Sequence, residues 1–544
     1  MDGLMQDYPL TIQHILWRIE RLFGRKEIVT KREDGVQHYT YADFAPRVHC
    51  LAHALKRLGV QPGDRVGTLC WNNARHLELY YAIPCMGAVL HTLNLRLFPQ
   101  QLEFVIRDAE DTVIFIDKTL LPILNNLAGK LPTVKHIVVL SDGGDLPAHD
   151  LGDLLDYETL LAAESGDYPW PALDERAAAA MCYTSGTTGN PKGVVYSHRS
   201  QFLHSMAVLT RDGLDLGEAD AILPVVPMFH ANSWGLPYAV GMCGAKLIFP
   251  DRWMGDGAVL LDLAAREGAT ILAGVPTIWI GLLRQIEQTG VRLPNVRYVV
   301  CGGSAIPRGL MAGMDRVGLR MLHAWGMTET SPIGTVSHPR SWQPADQHLD
   351  IRLTQGPPFL GVELRIADLG TGAELPWDGE AFGEIQVRGP WIASGYHHDA
   401  DPGKMTDDGW FRTGDVATVD PDGYVAIVDR TKDVIKSGGE WISSVELEGA
   451  IMAHPKVLEA TVIGLPHPKW QERPVAFVVP RPEYQGQVTQ EEILTFLGDK
   501  VARWWLPDEV RFIPEIPKTS VGKFDKKVLR AQATPLAAAE TAAG

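Results

Sequence analysis

Thr184-Ser185-Gly186-Thr187-Thr188-Gly189-Asn190-Pro191-Lys192-Gly193 contains three glycines, four hydroxyl side chains, one proline and one lysine, and apolar runs flank it on both sides. Glycine allows backbone N–H groups to turn toward an anion, hydroxyl groups add donors, and the lysine adds a positive charge. The stretch therefore predicts a loop that holds a polyphosphate. An ordinary surface turn is the alternative, because the same residue types are common in turns.

The stretch is not a Walker A loop. That motif requires Gly-x-x-x-x-Gly-Lys-Ser/Thr directly before a helix, whereas Pro191 precedes the lysine here. The β-branched pair Val194-Val195 favours a strand after Gly193. We therefore predict a mobile loop that joins two strands.

Length and composition limit the class of protein. A chain of 544 residues is too long for one hydrophobic core, and a prior of one domain per roughly 150 residues suggests more than two structural units. Hydrophobic residues make up 45% and charged residues 21%, as in a globular protein and unlike a disordered one. The net charge of −16 would repel a nucleic-acid backbone, so we expect small-molecule substrates and no nucleic-acid partner.

The cysteines and the first residues bear on the compartment. No Cys-x-x-Cys pair occurs, and cysteines beside apolar residues are typical of reduced core positions. The N-terminal sequence lacks a basic region followed by an apolar one, and no apolar span reaches the roughly 18 residues of a membrane helix. We therefore expect a cytoplasmic protein without a membrane span.

Alternating helix and strand patterns indicate the fold class. A capping-box pattern at Thr40-Tyr41-Ala42-Asp43 begins a helix that Gly59 ends, and Val113-Ile114-Phe115-Ile116 is typical of a strand. A second alternating block follows the 184–193 stretch. Strands and helices that take turns predict an α/β fold with sheets covered by helices.

The pattern changes near Gly356, where short β runs separated by glycine and proline predict a small barrel or sandwich. The charged segment 429–433 offers nothing to bury and is the predicted domain boundary. After it, helix and strand patterns suffice for a compact α+β domain over residues 433–532. The tail 533–544, rich in Ala, Thr and Pro, is expected to be flexible and frayed.

Trp325-Gly326-Met327-Thr328-Glu329-Thr330 places an aromatic ring, a hydroxyl and a carboxylate on a tight turn. Trp325 can stack on adenine, Thr328 can donate to a phosphate, and Glu329 can supply a hard oxygen ligand for the Mg²⁺ that accompanies ATP. On spacing alone, a helix N-terminus with an acidic first turn explains the pattern equally well.

Taken in order, these two motifs resemble the phosphate loop and the Tyr-Gly-Met-Thr-Glu signature of the adenylate-forming enzymes, the superfamily of acyl-CoA synthetases, peptide-synthetase adenylation domains and beetle luciferases. Trp325 replaces the tyrosine, which keeps a stacking face and loses the hydrogen bond of the phenol. The resemblance runs from about residue 30 to residue 530. It implies a large domain over residues 1–430 with two α/β sheet subdomains and a small β-barrel, a hinge at residues 431–432 that contains Lys432, and a small mobile α+β domain.

The resemblance also implies the roles of single residues. It makes Asp415 the ribose-binding carboxylate, assisted by Arg430, and Glu329 and Thr184 the magnesium ligands. It makes Lys523 the lysine that contacts the carboxylate and the α-phosphate, so the expected catalytic residues are Lys523, Glu329, His230 and Thr184. The expected ATP and AMP contacts are Thr184, Ser185, Gly186, Thr187, Thr188, Gly189, Lys192, Gly303, Ser304, Ala305, Ala324, Trp325, Gly326, Met327, Thr328, Asp415, Arg430 and Lys523.

Two further clusters concern the acyl group and CoA. The glycines of Cys301-Gly302-Gly303-Ser304-Ala305 let a ring or an acyl chain approach the backbone closely, although a simple tight turn has the same composition. A lone His230 is more often a satisfied core histidine; by resemblance it lies near the substrate carboxylate, and Trp234 gates the acyl tunnel. The expected acyl contacts are His230, Trp234, Gly302, Gly303 and Thr277, and the expected CoA contacts are Lys436, Ser437, Gly438, Gly439, Glu440 and Trp441.

The implied reaction has two halves: a carboxylate and Mg·ATP form an acyl-adenylate, and CoA then displaces AMP. Asn232-Ser233-Trp234 and the segments 436–443 and 466–472 are similar to those of medium- and long-chain fatty acyl-CoA synthetases and of methylthiopropanoate–CoA ligases. A luciferase-like oxidative enzyme, a peptide-synthetase adenylation domain and a non-catalytic binding protein are the alternatives. A homodimer is a further expectation of the family.

Overall fold

The computed structural model of the protein describes residues 1, 3–184, 190–437, 440–518 and 524–541. The helices of these residues are α1 (Ile12–Leu22), α2 (Tyr41–Arg57), α3 (Ala74–Cys85), α4 (Pro99–Asp108), α5 (Leu121–Asn125), α6 (Tyr157–Ala162), α7 (His198–Leu209), α8 (Leu236–Cys243), α9 (Gly257–Arg266), α10 (Pro276–Thr289), α11 (Arg308–Arg316), α12 (His348–Leu353), α13 (Ser444–Met452), α14 (Gln490–Leu497) and α15 (Lys526–Thr541).

The strands are β1 (Glu27–Arg32), β2 (Gly35–Thr40), β3 (Arg65–Leu69), β4 (Val89–Thr92), β5 (Val113–Asp117), β6 (His136–Leu140), β7 (Leu154–Asp156), β8 (Ala178–Tyr183), β9 (Gly193–Ser197), β10 (Ala221–Pro224), β11 (Lys246–Phe249), β12 (Ile271–Gly274), β13 (Tyr298–Cys301), β14 (Met321–Gly326), β15 (Ile333–Val336), β16 (Glu363–Ala367), β17 (Phe382–Arg388), β18 (Phe411–Val419), β19 (Val425–Arg430), β20 (Ile435–Ser437), β21 (Glu440–Ile442), β22 (Val457–His467), β23 (Gln471–Pro480) and β24 (Glu509–Phe512).

Helix α2 begins and ends where its sequence predicts. The Thr40 side chain accepts a hydrogen bond from the Asp43 N–H, and the Asp43 carboxylate accepts one from the Thr40 N–H, which completes the capping box. Gly59, just beyond the helix, has φ +87°, a conformation that favours glycine after a helix.

Two large sheets confirm the α/β fold class. One has the strand order β7-β6-β5-β3-β4-β8-β9 and is parallel except for β9, which pairs antiparallel with β8. The other has the order β15-β14-β13-β12-β10-β11-β1-β2, with antiparallel strands only at its two edges. Strands β5 and β10 are buried along their whole length, as expected for parallel sheets covered on both faces.

The short β runs after Gly356 form a four-stranded sheet of order β16-β17-β18-β19. Strand β18 contains Arg412-Thr413-Gly414-Asp415, a sequence that by itself is typical of a glycine turn. Gly414 does have φ +80°, but the chain stays extended on both sides of it. A single left-handed glycine inside a strand therefore produced the misleading turn pattern.

The C-terminal residues form the predicted α+β arrangement. Their sheet has the order β21-β20-β23-β22, and β24 pairs parallel with β23. Its core contains Ile435, Ile442, Leu447, Val462 and Ile493, all with 0% exposure. We expected regular structure to end after Gln532, but α15 continues to Thr541 because this segment is rich in alanine, the strongest helix former.

The charged segment 429–433 does bury side chains, which corrects the expectation that it offers nothing to bury. Asp429 and Asp433 are both buried. The Asp429 carboxylate accepts hydrogen bonds from the backbone N–H groups of Arg430 and Ser444, and Asp433 pairs with Arg530 at 2.8 Å. Burial raises the pKa of Asp429, against the opposing effect of nearby Lys526.

The chain divides into two compact units. The first contains Met1–Leu364, Val387–Phe411 and Gly423–Val425, and the second contains Arg365–Gln386, Arg412–Asp422 and Ala426–Gly544. The domain boundary at residue 430 and the hinge at residues 431–432 stay predictions. No helix among the described residues is long and apolar enough to cross a bilayer.

Gly356 provides a stability test of the first unit. It has φ +87°, and a Cβ atom there would lie 2.3 Å from the backbone carbonyl of Val336. We expect Gly356→Ala to lower the free energy of unfolding by at least about 2 kcal/mol, because a left-handed alanine and a backbone overlap add together. Urea unfolding followed by circular dichroism measures the change.

Gly309→Ala in α11 is the matched control, since a Cβ atom at Gly309 would meet no heavy atom within 4 Å. It should leave the transition unchanged or move it to higher urea. A Gly356→Ala protein with the wild-type midpoint would contradict the argument.

Candidate active site

The 184–193 stretch connects two antiparallel strands, as predicted. Tyr183 pairs with Gly193 at the end of the β8–β9 ladder. The Thr184 N–H donates to the Lys192 carbonyl at 2.9 Å, and the Lys192 N–H donates to Thr184 Oγ1 at 3.4 Å. The hairpin is therefore closed immediately below the phosphate loop; Ser185, Gly186, Thr187, Thr188 and Gly189 lie outside the described residues.

The side chain of Lys192 has two partners that sequence reasoning missed. Its Nζ forms an ion pair with Asp401 at 2.5 Å and lies 5.2 Å from the ring centroid of Tyr396. The pair is partly open to solvent, with side-chain exposures of 22% and 32%. The lysine at the edge of the phosphate loop is therefore held by an acidic residue.

The 325–330 motif forms the tight turn that its composition predicts. Strand β14 ends at Gly326, and a 3-10 turn covers Thr328–Thr330. A Cβ atom at Gly326 would lie 1.7 Å from the carbonyl oxygen of Pro332, so only glycine fits at this point. The turn buries Thr328 and Glu329, and the Tyr196 hydroxyl donates to the Thr328 carbonyl at 2.8 Å.

Glu329 receives a hydrogen bond from Tyr396. The phenol donates to Glu329 Oε1 at 2.5 Å, and burial followed by the carboxylate charge raises the pKa of Tyr396. The phenol therefore stays protonated and acts as a donor. The backbone carbonyl of Glu329 also accepts from the Ala393 N–H at 2.8 Å.

Residues 396–401, here named loop 396–401, thus contact both predicted nucleotide motifs. Tyr396 binds Glu329, and Asp401 binds Lys192. The loop lies between β17 and β18 among polar residues without helical or strand periodicity. No local signal in the sequence pairs it with either motif.

Glu329 and Thr184, the expected magnesium ligands, each carry a side-chain oxygen. Glu329 is only 5% exposed and is oriented by Tyr396, and Thr184 offers a hydroxyl oxygen at the base of the loop. Carboxylate and hydroxyl oxygens are ligands that Mg²⁺ accepts, usually together with substrate phosphates.

Trp325 is held tightly at the expected adenine position. The side chain is 7% exposed, and a Cβ atom at Gly334 would lie 2.5 Å from its ring. Gly334 therefore packs directly against the indole. Ala324 and Met327 flank this position, in β14 and directly before the 3-10 turn.

Trp234, Gly302 and Ala324 come together at the expected acyl position. A Cβ atom at Gly302 would lie 2.8 Å from the Ala324 carbonyl oxygen and 3.1 Å from the Trp234 ring. Gly302 therefore allows the indole to approach the strand ends of β13 and β14. The next residues, Gly303, Ser304 and Ala305, are exposed.

Trp234 belongs to a left-handed turn that continues to Gly235. Ala231, Asn232, Ser233 and Trp234 have φ values of 45°, 46°, 50° and 58°. Each such residue costs about 1–2 kcal/mol, and strain of this kind collects at functional sites. Contacts within the first unit offset the cost: Ser233 Oγ donates to the Val226 carbonyl at 2.9 Å, and Thr92 Oγ1 donates to Asn232 Oδ1 at 3.1 Å.

His230 and Thr277 are the remaining acyl candidates. His230 directly precedes the left-handed turn, is partly buried, and its N–H donates to the Pro227 carbonyl at 3.2 Å. Thr277 is exposed in the first turn of α10. His230 thus lies beside the Trp234 turn in the sequence.

In the second unit, Asp415 and Arg430, the residues expected to bind ribose, lie close together. Arg430 Nε lies 3.6 Å from Asp415 Oδ1, and the Thr431 N–H donates to the Gly414 carbonyl at 2.9 Å. Lys432 is exposed, and its carbonyl accepts from Arg530 at 3.1 Å.

The expected CoA residues lie in and around the β20–β21 hairpin. Lys436 pairs with Trp441 across it, with Nζ 5.1 Å from the indole centroid, and Ser437 Oγ accepts from Arg473 at 3.0 Å. Glu440 begins β21. Gly438, Gly439 and the catalytic candidate Lys523 lie outside the described residues.

Comparison with known families and proteins agrees with this geometry. Residues 17–397 match the family of the AMP-binding enzymes, and residues 446–523 match the AMP-binding enzyme C-terminal domain. The chain is 47% identical over 534 residues to the long-chain-fatty-acid–CoA ligase of Thermus thermophilus, covering 97% of this chain and 96% of that protein.

Two further relatives have similar sequence identity and coverage. The medium-chain-fatty-acid–CoA ligase of Ectopseudomonas oleovorans is 44% identical over 535 residues, covering 97% of each chain. The 3-methylmercaptopropionyl-CoA ligase of Ruegeria lacuscaerulensis is 44% identical over 536 residues, covering 97% of this chain and 98% of that protein.

The fold has close counterparts among solved structures. The anthranilate–CoA ligase AuaEII in complex with anthranoyl-AMP superposes with a TM-score of 0.84 at 27% identity, covering 98% of this chain and 100% of that chain. Because the family match covers most of the chain and these relatives align over nearly its full length, the chain belongs to the AMP-binding enzymes, the adenylate-forming superfamily, and is an acid–CoA ligase.

Proposed function

We propose that the protein joins a medium-chain fatty acid to CoA through an acyl-adenylate, with release of pyrophosphate and AMP. The observation that carries the nucleotide half of this proposal is that loop 396–401 binds both Lys192 and Glu329. One short segment thereby connects the phosphate hairpin to the buried acidic turn. ATP and CoA are the substrates that the family uses.

In the first half-reaction, a carboxylate oxygen attacks the α-phosphorus of ATP, the bond to the β-phosphate oxygen breaks, and pyrophosphate leaves. Such a step needs positioning and charge neutralisation more than covalent catalysis. Backbone N–H groups of the phosphate loop and Lys192 bind the departing phosphates, and Lys523 contacts the carboxylate and the α-phosphate. Trp325 stacks on adenine, and Asp415 with Arg430 binds the ribose.

Mg²⁺ is the expected cofactor of this half-reaction. Glu329 and Thr184 would hold it, and it would neutralise charge on the phosphates. Tyr396 orients the Glu329 carboxylate for this role.

In the second half-reaction, the CoA thiolate attacks the acyl carbonyl, the bond to the phosphate oxygen breaks, and AMP leaves. Lys436, Ser437 and Trp441, with the intervening Gly438, Gly439 and Glu440, are the residues proposed to bind CoA. His230 lies near the carboxylate and opens the path for the thiol. The small domain rotates about Lys432 and presents Lys523 first and the β20–β21 hairpin second.

The identity of the acid is the finer part of the proposal. Trp234, which packs beside Gly302, is the residue proposed to gate an acyl tunnel, and the depth of that tunnel would set the chain length. The similarity to the medium-chain-fatty-acid–CoA ligase supports a medium-chain acid. The similarity to the long-chain-fatty-acid–CoA ligase supports a long-chain acid. A short functionalised acid such as 3-methylthiopropanoate is the second candidate, supported by two relatives at 44% identity.

The assembly and location complete the proposal. We propose a homodimer, as the superfamily resemblance implies, and a cytoplasmic location, which the free cysteines support. Light scattering on the purified protein tests the dimer directly.

A series of acids tests the reaction and its specificity. Pyrophosphate release is measured with acids of three to sixteen carbons and with 3-methylthiopropanoate, each with and without CoA. We expect the highest kcat/KM with a medium-chain acid and formation of acyl-AMP when CoA is omitted. If no acid gives a mixed anhydride with AMP, the proposal fails; light emission that depends on oxygen would instead indicate a luciferase-like enzyme.

Lys523 tests the division of labour between the half-reactions. Lys523→Ala should lower adenylation by at least about a hundredfold, because it removes a charge at the reacting phosphate, and should leave thioester formation from preformed acyl-AMP within about threefold. Lys527→Ala on the following helix is the control and should keep both rates. Equal loss of both half-reactions in Lys523→Ala would contradict the proposal that Lys523 serves only the first of them.

Asp401 tests the role of Lys192. Since the Lys192–Asp401 pair is partly solvent-exposed, Asp401→Asn should lower the KM for ATP by only roughly two- to fivefold, by releasing the lysine for the triphosphate. Steady-state kinetics with varied ATP measures this change. The neighbouring Asp399→Asn is the control, and an unchanged or higher KM in Asp401→Asn would refute the competition.

A further inference from the structure

A second potential metal site lies beside the phosphate hairpin. Asp108 ends α4, and His397 and His398 belong to loop 396–401. One ligand atom from each of these three side chains lies within 4.8 Å of the others. We propose that Asp108, His397 and His398, here named the His-Asp cluster, bind a transition-metal ion of the zinc type, and that the ion regulates ATP binding through loop 396–401.

The backbone brings the two imidazoles together. His398 and Asp399 have φ values of 56° and 51°, a left-handed pair that turns the chain sharply at this point. The two rings are stacked, with centroids 3.8 Å apart and an angle of 27° between them. His397 packs against the hairpin, because a Cβ atom at Gly193 would lie 3.0 Å from the His397 Cβ.

The separation of the ligand atoms suits an ion after a small adjustment. Bond lengths of about 2.0–2.1 Å in a tetrahedral site require ligand atoms roughly 3.3 Å apart. The atoms of the cluster are within 4.8 Å, and the His398 side chain is 63% exposed and has room to rotate. Rotation of the exposed His398 side chain can therefore bring its ligand atom closer to the other two.

Asp108 is oriented for this role by Tyr183. The Tyr183 hydroxyl donates to Asp108 Oδ2 at 2.6 Å, while Oδ1 lies 3.5 Å from His398 Nδ1. One carboxylate oxygen is therefore held by a hydrogen bond and the other faces the histidine. Hydrogen bonds of this kind to a ligating carboxylate are a usual feature of metal sites, and two imidazoles with one carboxylate suit zinc, cobalt, nickel or copper better than magnesium.

A comparable cluster elsewhere in the first unit has a different arrangement. Glu27, His38 and Glu267 also place their ligand atoms within 4.8 Å of one another. There, however, Lys246 Nζ lies 2.9 Å from both glutamates and already supplies the positive charge. This second cluster provides a histidine for a matched control.

An ion in the His-Asp cluster would act on the nucleotide site through the covalent chain. It would tie α4 to loop 396–401, which also holds Lys192 through Asp401 and Glu329 through Tyr396. A fixed loop favours the arrangement in which Lys192 is paired with Asp401. ATP must separate that pair to contact the lysine, so the ion raises the KM for ATP. This regulation goes beyond the proposed ligase activity.

Metal binding is tested first, without ATP. Purified full-length protein in buffer with millimolar Mg²⁺ is titrated with ZnCl₂ in a calorimeter and, separately, with CoCl₂ followed by visible absorption. We expect one tight ion per chain, and an affinity at least tenfold lower in both His398→Gln and Asp108→Asn. His38→Gln should bind as wild type does.

Two results would overturn the site: no binding by the wild type, or equal affinity in wild type and Asp108→Asn, which would mean that the adjacent histidines alone chelate the ion. Because these binding measurements do not require catalysis, their result is independent of whether the protein is the proposed ligase. Circular dichroism of each variant verifies that it is folded.

Regulation is tested with the active enzyme at buffered micromolar free Zn²⁺, with Mg²⁺ in excess over ATP and the ATP concentration varied. The KM for ATP should rise at least threefold in the wild type and in His38→Gln, and should stay constant in His398→Gln. Without zinc, His398→Gln should have the kinetic constants of the wild type. A KM that does not respond to bound zinc would overturn the regulatory role.

Discussion

A buried carboxylate has to be compensated, and this constraint organises the nucleotide side of the molecule. Glu329 is almost fully removed from solvent, where an unpaired negative charge would cost several kcal/mol. The Tyr396 phenol supplies a hydrogen bond to it, and burial keeps that phenol protonated by raising its pKa. The hydrogen bond therefore fixes the start of loop 396–401 on the acidic turn.

With Tyr396 bound to Glu329, two other residues of loop 396–401 contact the phosphate hairpin. Asp401 reaches Lys192 at the edge of the phosphate hairpin, and His397 packs on Gly193 at the hairpin base. The loop thus contacts the phosphate hairpin at two residues, Lys192 and Gly193.

Three glycines of the first unit allow close packing around the candidate residues Trp325 and Trp234. Gly326 is pressed on Pro332, Gly334 on the Trp325 ring, and Gly302 between Trp234 and the Ala324 carbonyl. Each contact would be lost with a larger residue, because a Cβ atom at any of these positions would lie closer than 3 Å to a neighbouring atom. The packing around Trp325 and Trp234, the residues proposed to contact adenine and the acyl group, therefore depends on the absence of side chains at these glycines.

The amino-acid sequence by itself determined the α/β fold class, the strand-loop-strand form of the phosphate loop and the tight turn at Glu329, because glycine content, capping and hydrophobic period are local properties. Predictions from local sequence were wrong where the surroundings of a residue decide its structure. Gly414 is typical of a turn but lies inside β18, and the charged residue Asp429 is buried against the start of α13. Only the tertiary structure decided that Tyr396 binds Glu329 and that Asp401 binds Lys192, since these partners are 67 and 209 residues apart and no period or spacing in the chain relates them.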